Sequence, residues 1–229
     1  MWRNIIHAKS IFMEGLTIKV ILVHGFNKSS RDMRHLERYL NSLGYHCFLP
    51  DLQLTYKEVE HATYDLAGYL EEVVKFNLKE DERIHLVGHS TGGLVIRKLL
   101  SDTKYSHQIG RCVLIATPNK GSKLADIAGN VRFYVEIFKT LKSLTFESVK
   151  QLKIANDIDI EMAAIAGNKS NLLLGKLIRD ENDGRVEVES VYFPKLKDFM
   201  ILPYGHKEIH YQEETARLVD AFLMTGKFK

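Results

Sequence analysis

The chain has little of what marks several protein classes. Only two of its 229 residues are cysteine, Cys47 and Cys112, which excludes a disulfide scaffold, and the pair lacks metal-site spacing. Charge of one sign is not in excess. The 32 basic and 29 acidic side chains leave a net charge of +3, too small for a nucleic-acid protein built around a basic patch. No apolar run approaches the length of a bilayer span. The stretch from Met1 to Leu16 scatters Arg3, His7, Lys9 and Glu14 among its apolar residues, and so lacks the uninterrupted apolar core of a secretory signal. Internal repeats, low-complexity tracts and linker-like Pro/Gly/Ser segments are also missing. These absences lead to the expectation of a soluble, cytoplasmic protein. With 45% hydrophobic residues, 1–229 reads as one domain, long enough for a sizeable core and too short for two comfortable ones.

Short apolar runs alternate with longer stretches of helical period, the pattern of a parallel sheet covered by helices on both faces. The strand candidates are Ile18–Val23, Tyr45–Leu49, Arg83–Val87, Arg111–Ala116, Met162–Ala166 and Phe199–Leu202. Between the first two, Met33, Leu36, Leu40 and Leu43 recur at helical spacing, with Ser29 or Ser30 as a cap and Gly44 as a stop. Val59, Ala62, Leu66, Leu70, Val73 and Phe76 form a longer amphipathic stripe. Further helices are expected over Gly92 to Leu100 and over about Glu213 to Phe222.

One interval breaks the rhythm. The 45 residues between Ala116 and Met162 exceed what a crossover needs. Within them Leu124, Ile127, Ala128, Val131, Tyr134, Val135, Phe138 and Leu141 fall at helical spacing, and Phe133 and Ile137 broaden the apolar surface. Residues 124–160 therefore read as a small helical insert, either extra core helices packed on the sheet or a cap over an active site. Its amphipathic face could make transient contact with a lipid surface.

The informative segment is Leu86-Val87-Gly88-His89-Ser90-Thr91-Gly92-Gly93-Leu94. It holds Gly-x-Ser-x-Gly between a strand candidate and a helix candidate. A sharp strand-to-helix turn forces the serine into a strained conformation, and glycines on either side let neighbouring chain pass close. The hydroxyl then stands above the sheet at a helix N-terminus, where the dipole favours negative charge. The plainer alternative is a glycine-rich turn with a serine N-cap. A phosphate loop is disfavoured, because neither the Walker Lys-Ser/Thr ending nor dinucleotide glycine spacing is present.

With these residues the chain resembles the α/β-hydrolase fold, particularly small bacterial lipases and esterases and inositol-deacylase-like hydrolases. The resemblance rests on Val20-Ile21-Leu22-Val23-His24-Gly25-Phe26 and on the Gly-His-Ser-Thr-Gly-Gly elbow. It extends to Ile115-Ala116-Thr117-Pro118-Asn119-Lys120-Gly121-Ser122, to Asn182-Asp183-Gly184-Arg185-Val186 and to Tyr204-Gly205-His206. It implies a three-layer fold with a mostly parallel six-stranded sheet, an abbreviated N-terminus, and the chain order serine, acid, histidine.

Within that order Ser90 is the expected nucleophile. His206 follows the last strand candidate in a short turn and is the expected base. His210, beside the following helix, is the runner-up, and His107 precedes the fourth strand at the wrong end of the sheet. The resemblance assigns the orienting carboxylate to Asp183, ahead of Asp180 and Glu181. Two backbone N–H groups are expected to form the oxyanion hole: Thr91, after the nucleophile, and Phe26, in a turn like the family's His-Gly turn. His24 is expected to brace that loop and His89 to support the elbow.

No cofactor or metal is implied. His206-Lys207-Glu208-Ile209-His210 places its glutamate third, whereas the zinc-protease pattern needs it second. His85 and His89 straddle a strand end and cannot share a helix face. The expected activity is a serine hydrolase cleaving carboxylic esters through an acyl-enzyme, acting on a small-molecule ester or acyl substrate. A thioesterase or amidase on the same residues, or a silent binding protein of the same fold, is the alternative.

Overall fold

Six apolar runs of the sequence become one parallel sheet, because a strand with no polar face must be covered on both sides. The computed structural model describes residues 17–129, 139–155, 158–170, 178 and 180–229. Its strands are β1 (Ile18–Val23), β2 (Tyr45–Phe48), β3 (Ile84–His89), β4 (Ile109–Ile115), β5 (Met162–Gly167) and β6 (Asp198–Leu202). They lie in the order β2-β1-β3-β4-β5-β6, and every adjacent pair is parallel.

Alternation along each strand feeds two cores. Ile21, Val23, Leu86, Cys112, Leu114 and Ala164 pack on one face. Val20, Leu22, Val87, Val113, Ile115 and Ile165 pack on the other. The first core is covered by α2 (Val59–Asn77) and α3 (Thr91–Asp102), through Leu66, Leu70, Leu94 and Leu99. The second is covered by α1 (Arg34–Ser42) and α8 (Glu213–Thr225), through Leu36, Leu40, Val219 and Phe222. These are the three layers expected from the sequence.

Details differ where local chemistry overrides pattern. The expected serine cap of α1 makes no side-chain bond. A 3₁₀ turn over Ser30–Met33 precedes the helix, and its entry is secured by Asp32 N–H donating to the Ser29 carbonyl at 3.0 Å. Gly44, at φ +90°, ends the helix as expected. Phe76 is 81% exposed and leaves the α2 stripe. At about 100° per residue it lies roughly 80° off the Leu66–Val73 line. Cys112 is fully buried and Cys47 half-buried, and burial pushes both thiols up, Cys47 to about 12.

The long interval contains α4 (Lys123–Gly129), α5 (Lys139–Lys142) and α6 (Phe146–Gln151). Val131, Phe133, Tyr134, Val135, Ile137 and Phe138 lie outside the described residues. A further short helix, α7 (Val188–Val191), follows Asp183.

The strand order places the site. From β1 the chain winds outward to β2, then returns to β3 on the other side. The helices after β1 and β3 therefore cover opposite faces, which makes the carboxyl ends of those strands the topological switch point where such folds place their sites. Ser90 follows β3 there, and His24-Gly25-Phe26 follows β1.

Candidate active site

Ser90 sits at φ 54°, ψ −127°, a strained backbone for any residue with a Cβ. Its N–H donates to the Ile115 carbonyl at 2.8 Å, which ties the turn to the end of β4. The tightness explains the flanking glycines. A Cβ on Gly88 would lie 2.5 Å from the Gly93 nitrogen, and one on Gly92 would lie 2.4 Å from the His24 carbonyl oxygen. Ser90 occupies the N-cap position of α3, yet its side chain makes no capping bond. The hydroxyl turns instead to His206, whose Nε2 is 2.9 Å from Oγ.

His206 lies in the turn after β6, 3% exposed. Its Nδ1 is 2.7 Å from Asp183 Oδ2. The ionised carboxylate only accepts, so Nδ1 carries the hydrogen, Nε2 is the acceptor, and the Ser90 hydroxyl donates. Asp183 is 1% exposed and fully engaged. Its Oδ1 accepts from the Arg185 and Val186 amides at 2.9 and 2.8 Å, and its carbonyl accepts from His206 N–H at 2.9 Å. Gly184, at φ +96°, permits this tight turn.

The competitors lie elsewhere. Asp180 pairs with Lys123 at the surface, and Glu181 accepts from Asn168. His107 sits in a 3₁₀ turn ahead of β4. His210 is buried, but its Nε2 meets Asp32 Oδ2 at 3.0 Å and its ring stacks on His89.

The loop after β1 abuts the serine: a Cβ on Gly25 would lie 2.9 Å from Ser90 Cβ. His24 braces this loop. Its Nδ1 is 3.0 Å from the Gly25 carbonyl oxygen, and its Nε2 accepts from Leu52 N–H at 3.0 Å. Burial lowers its pKa, with opposing contributions from Gly25, Asp51 and Asp32. Thr91 is the first residue of α3, where amides lack intrahelical acceptors.

A second polar group, Asp32 with His89 and His210, lies beside the serine and escaped the sequence reading as a cluster. Burial would raise the Asp32 carboxyl, but His210, Tyr211 and Lys28 outweigh it and hold it below the usual carboxylate range. Burial, then the neighbouring His210 and His206, pushes His89 well below the usual imidazole value. Positions 32, 89 and 210 share no motif spacing, so no local signal joins them.

The family model described as "alpha/beta hydrolase fold" matches residues 19–187, which takes in β1, the serine elbow and Asp183. The chain belongs to the alpha/beta hydrolase fold family. Solved structures of this fold superpose over most of the hydrolase chain. Bacillus licheniformis lipase BlEst2 in its mature form matches with a TM-score of 0.78 at 20% identity, over 93% of this chain and 94% of that one. The Pyrococcus furiosus esterase PF2001 gives 0.61 at 21% identity, over 92% and 82%. In sequence, the lysosomal thioesterase PPT2 of Mus musculus is 34% identical over 104 residues, 44% of this chain. The match spans about a third of that relative's length, 34%. Among the described residues no helix is long and apolar enough to cross a membrane.

Proposed function

We propose that this hydrolase-fold protein cleaves carboxylic esters, with Ser90 as nucleophile, His206 as general base and acid, and Asp183 as the orienting carboxylate. The observation that carries the reading is the unbroken line from Ser90 Oγ to His206 Nε2, 2.9 Å, and from His206 Nδ1 to Asp183 Oδ2, 2.7 Å. A serine hydroxyl is a poor nucleophile at neutral pH and needs this arrangement.

In the proposed reaction Ser90 Oγ attacks the ester carbonyl carbon while its proton passes to His206 Nε2. Asp183 stabilises the imidazolium that forms and keeps the ring's tautomer. The amides of Phe26 and Thr91 donate to the developing oxyanion. The C–O bond to the alcohol breaks as His206 returns the proton to the leaving oxygen, and the acyl group stays on Ser90. Water, deprotonated by the same imidazole, then releases the acid and restores the hydroxyl. The described helices α4 and α6 of the long interval are proposed to offer the lipid contact: Ile127 and Phe146 leave 45% and 37% of their surface exposed, which suits transient contact with a lipid surface.

The mouse relative is a thioesterase, which supports a second reading, a thioester substrate on the same residues. The single discriminating experiment has two parts. A fluorophosphonate probe is expected to label the wild type and not Ser90→Ala; an unlabelled wild type sinks the hydrolase proposal. A chain-length series of nitrophenyl esters and matching acyl thioesters then ranks kcat/KM, and a thioester preference above tenfold overturns the ester reading.

A further inference from the structure

The buried group Asp32, His89 and His210 has no part in the proton path above, although it touches it. The donor atoms of the three side chains lie within 4.8 Å of one another, a spacing that invites a metal reading. The rings of His89 and His210 are stacked, however, with centroids 3.7 Å apart and planes at 22°. Imidazole lone pairs lie in the ring plane, so two stacked rings aim them alongside each other and away from any common point. Tetrahedral coordination needs convergence. The cluster has to be understood through its contacts to the chain.

We propose that His89 is a positioning residue for the base: it holds the His206 carbonyl, and the Asp32–His210 pair holds His89. The inference rests on the serine-hydrolase reading above. His89 Nε2 is 3.1 Å from the His206 carbonyl oxygen. A carbonyl only accepts, so Nε2 carries the hydrogen. On the other side of the same residue, the His206 N–H donates to the Asp183 carbonyl at 2.9 Å. The backbone of His206 is thus pinned at both ends. One pin is the proposed acid, and the other is the residue next to the nucleophile.

The ring of His89 is itself held on several sides. His210 covers one face, and His210 Nε2 meets Asp32 Oδ2 at 3.0 Å. Asp32 is anchored by Lys28 Nζ at 3.1 Å and by the Tyr211 hydroxyl. At its edge, a Cβ on Gly25 would lie 3.4 Å from His89 Nδ1. One imidazole therefore belongs to the serine elbow, closes off the space beside Gly25 in the loop after β1, and bonds the turn carrying the base. All three members are buried: His89 3% exposed, His210 1% and Asp32 8%. A proton shuttle tolerates little play, since a misplacement of about 1 Å can cost roughly 100-fold in rate. Burial also keeps His89 neutral. A charged ring 5.2 Å from that of His206 would oppose the imidazolium formed during attack.

The test uses the full chain and a short nitrophenyl ester. His89→Phe keeps a ring against His210 but removes the donor, and is expected to lower kcat by about 10–100-fold with KM within about twofold. His89→Gln restores an N–H donor and is expected to recover kcat to within about fivefold of wild type. A Phe variant with wild-type kcat, or a Gln variant as impaired as Phe, overturns the proposal. ¹⁵N NMR of the wild type, which needs no variant to fold, is expected to report His89 as the Nε2–H tautomer; the Nδ1–H tautomer overturns it. Fluorophosphonate labelling of the wild type separates the two failures. An unlabelled wild type defeats the hydrolase reading, whereas a labelled one with an insensitive His89 defeats only the positioning role.

Discussion

Replacing Asp183 by asparagine tests the proposed acid with almost no change of shape. The carboxylate has two faces with opposite demands. Oδ1 accepts from the amides of Arg185 and Val186 at 2.9 and 2.8 Å, and Oδ2 accepts from His206 Nδ1 at 2.7 Å. The asparagine oxygen must stay toward the two backbone donors. Turning its NH₂ toward them would leave both amides unsatisfied, at about 1–3 kcal/mol for the buried one of Val186. The NH₂ is therefore forced onto His206 Nδ1, which must become an acceptor. The hydrogen moves to Nε2, and the ring then donates toward Ser90 and cannot take its proton. An equivalent tautomer error in a serine protease costs about 10⁴-fold in kcat, or about 5.5 kcal/mol of barrier. Steady-state hydrolysis of a nitrophenyl ester measures it, with Asp180→Asn as control. Asp180 is a surface partner of Lys123, and its variant is expected within about twofold of wild type. An Asp183→Asn enzyme within tenfold of wild-type kcat, or a collapse in Asp180→Asn, would refute the reasoning.

Two further outcomes follow from packing and protonation. In Gly92→Ala the new methyl would stand 2.4 Å from the His24 carbonyl oxygen and 2.5 Å from that of Val23. Both are backbone atoms that cannot swing aside, so a loss of about 1–3 kcal/mol and a lowered Tm in thermal unfolding are expected; an unchanged Tm would contradict the packing. Burial lowers the pKa of His24, His89 and His210, and burial with the nearby Arg111 lowers His85 to about 4. The unfolded chain, with histidines near about 6.5, binds more protons than the folded one below that value. Stability is therefore present above it and falls as pH drops from about 6.5 toward 4. A Tm series from pH 7.5 to 4.5 should decline across that window, and a flat or rising series would oppose it.

The sheet was legible because burial on both faces leaves a strand no polar positions. Ile18–Val23 is found as read, and the other five strands differ only at their ends. Phe76 shows where pattern misleads: it follows the stripe in sequence, but its rotation about the helix turns it away from the Leu66–Val73 line and toward solvent. Serine capping of α1 failed for a similar reason. The chain between Ser29 and Arg34 is committed to a 3₁₀ turn that places Asp32 inward, at 8% exposure.

The site divides along the same line. Ser90 was readable because the elbow's constraint is local: the residues that crowd it are sequence neighbours or end adjacent strands. His206 is preferred because it lies in the turn directly after the last strand, with His210 left as runner-up on the same pattern. The two differ by four positions and both are buried. The fold brings one ring to Ser90 and the other to Asp32, which lies far back in the chain. Sequence by itself determined the layers, the cores of the strands and the position of the Ser90 elbow, all set by short-range sterics and hydrophobic period. Tertiary structure decided which histidine faces the serine, which carboxylate faces that histidine, and that Asp32, His89 and His210 meet at all. Those contacts depend on loops from different strands converging at one end of the sheet, and no periodicity along the chain encodes that convergence.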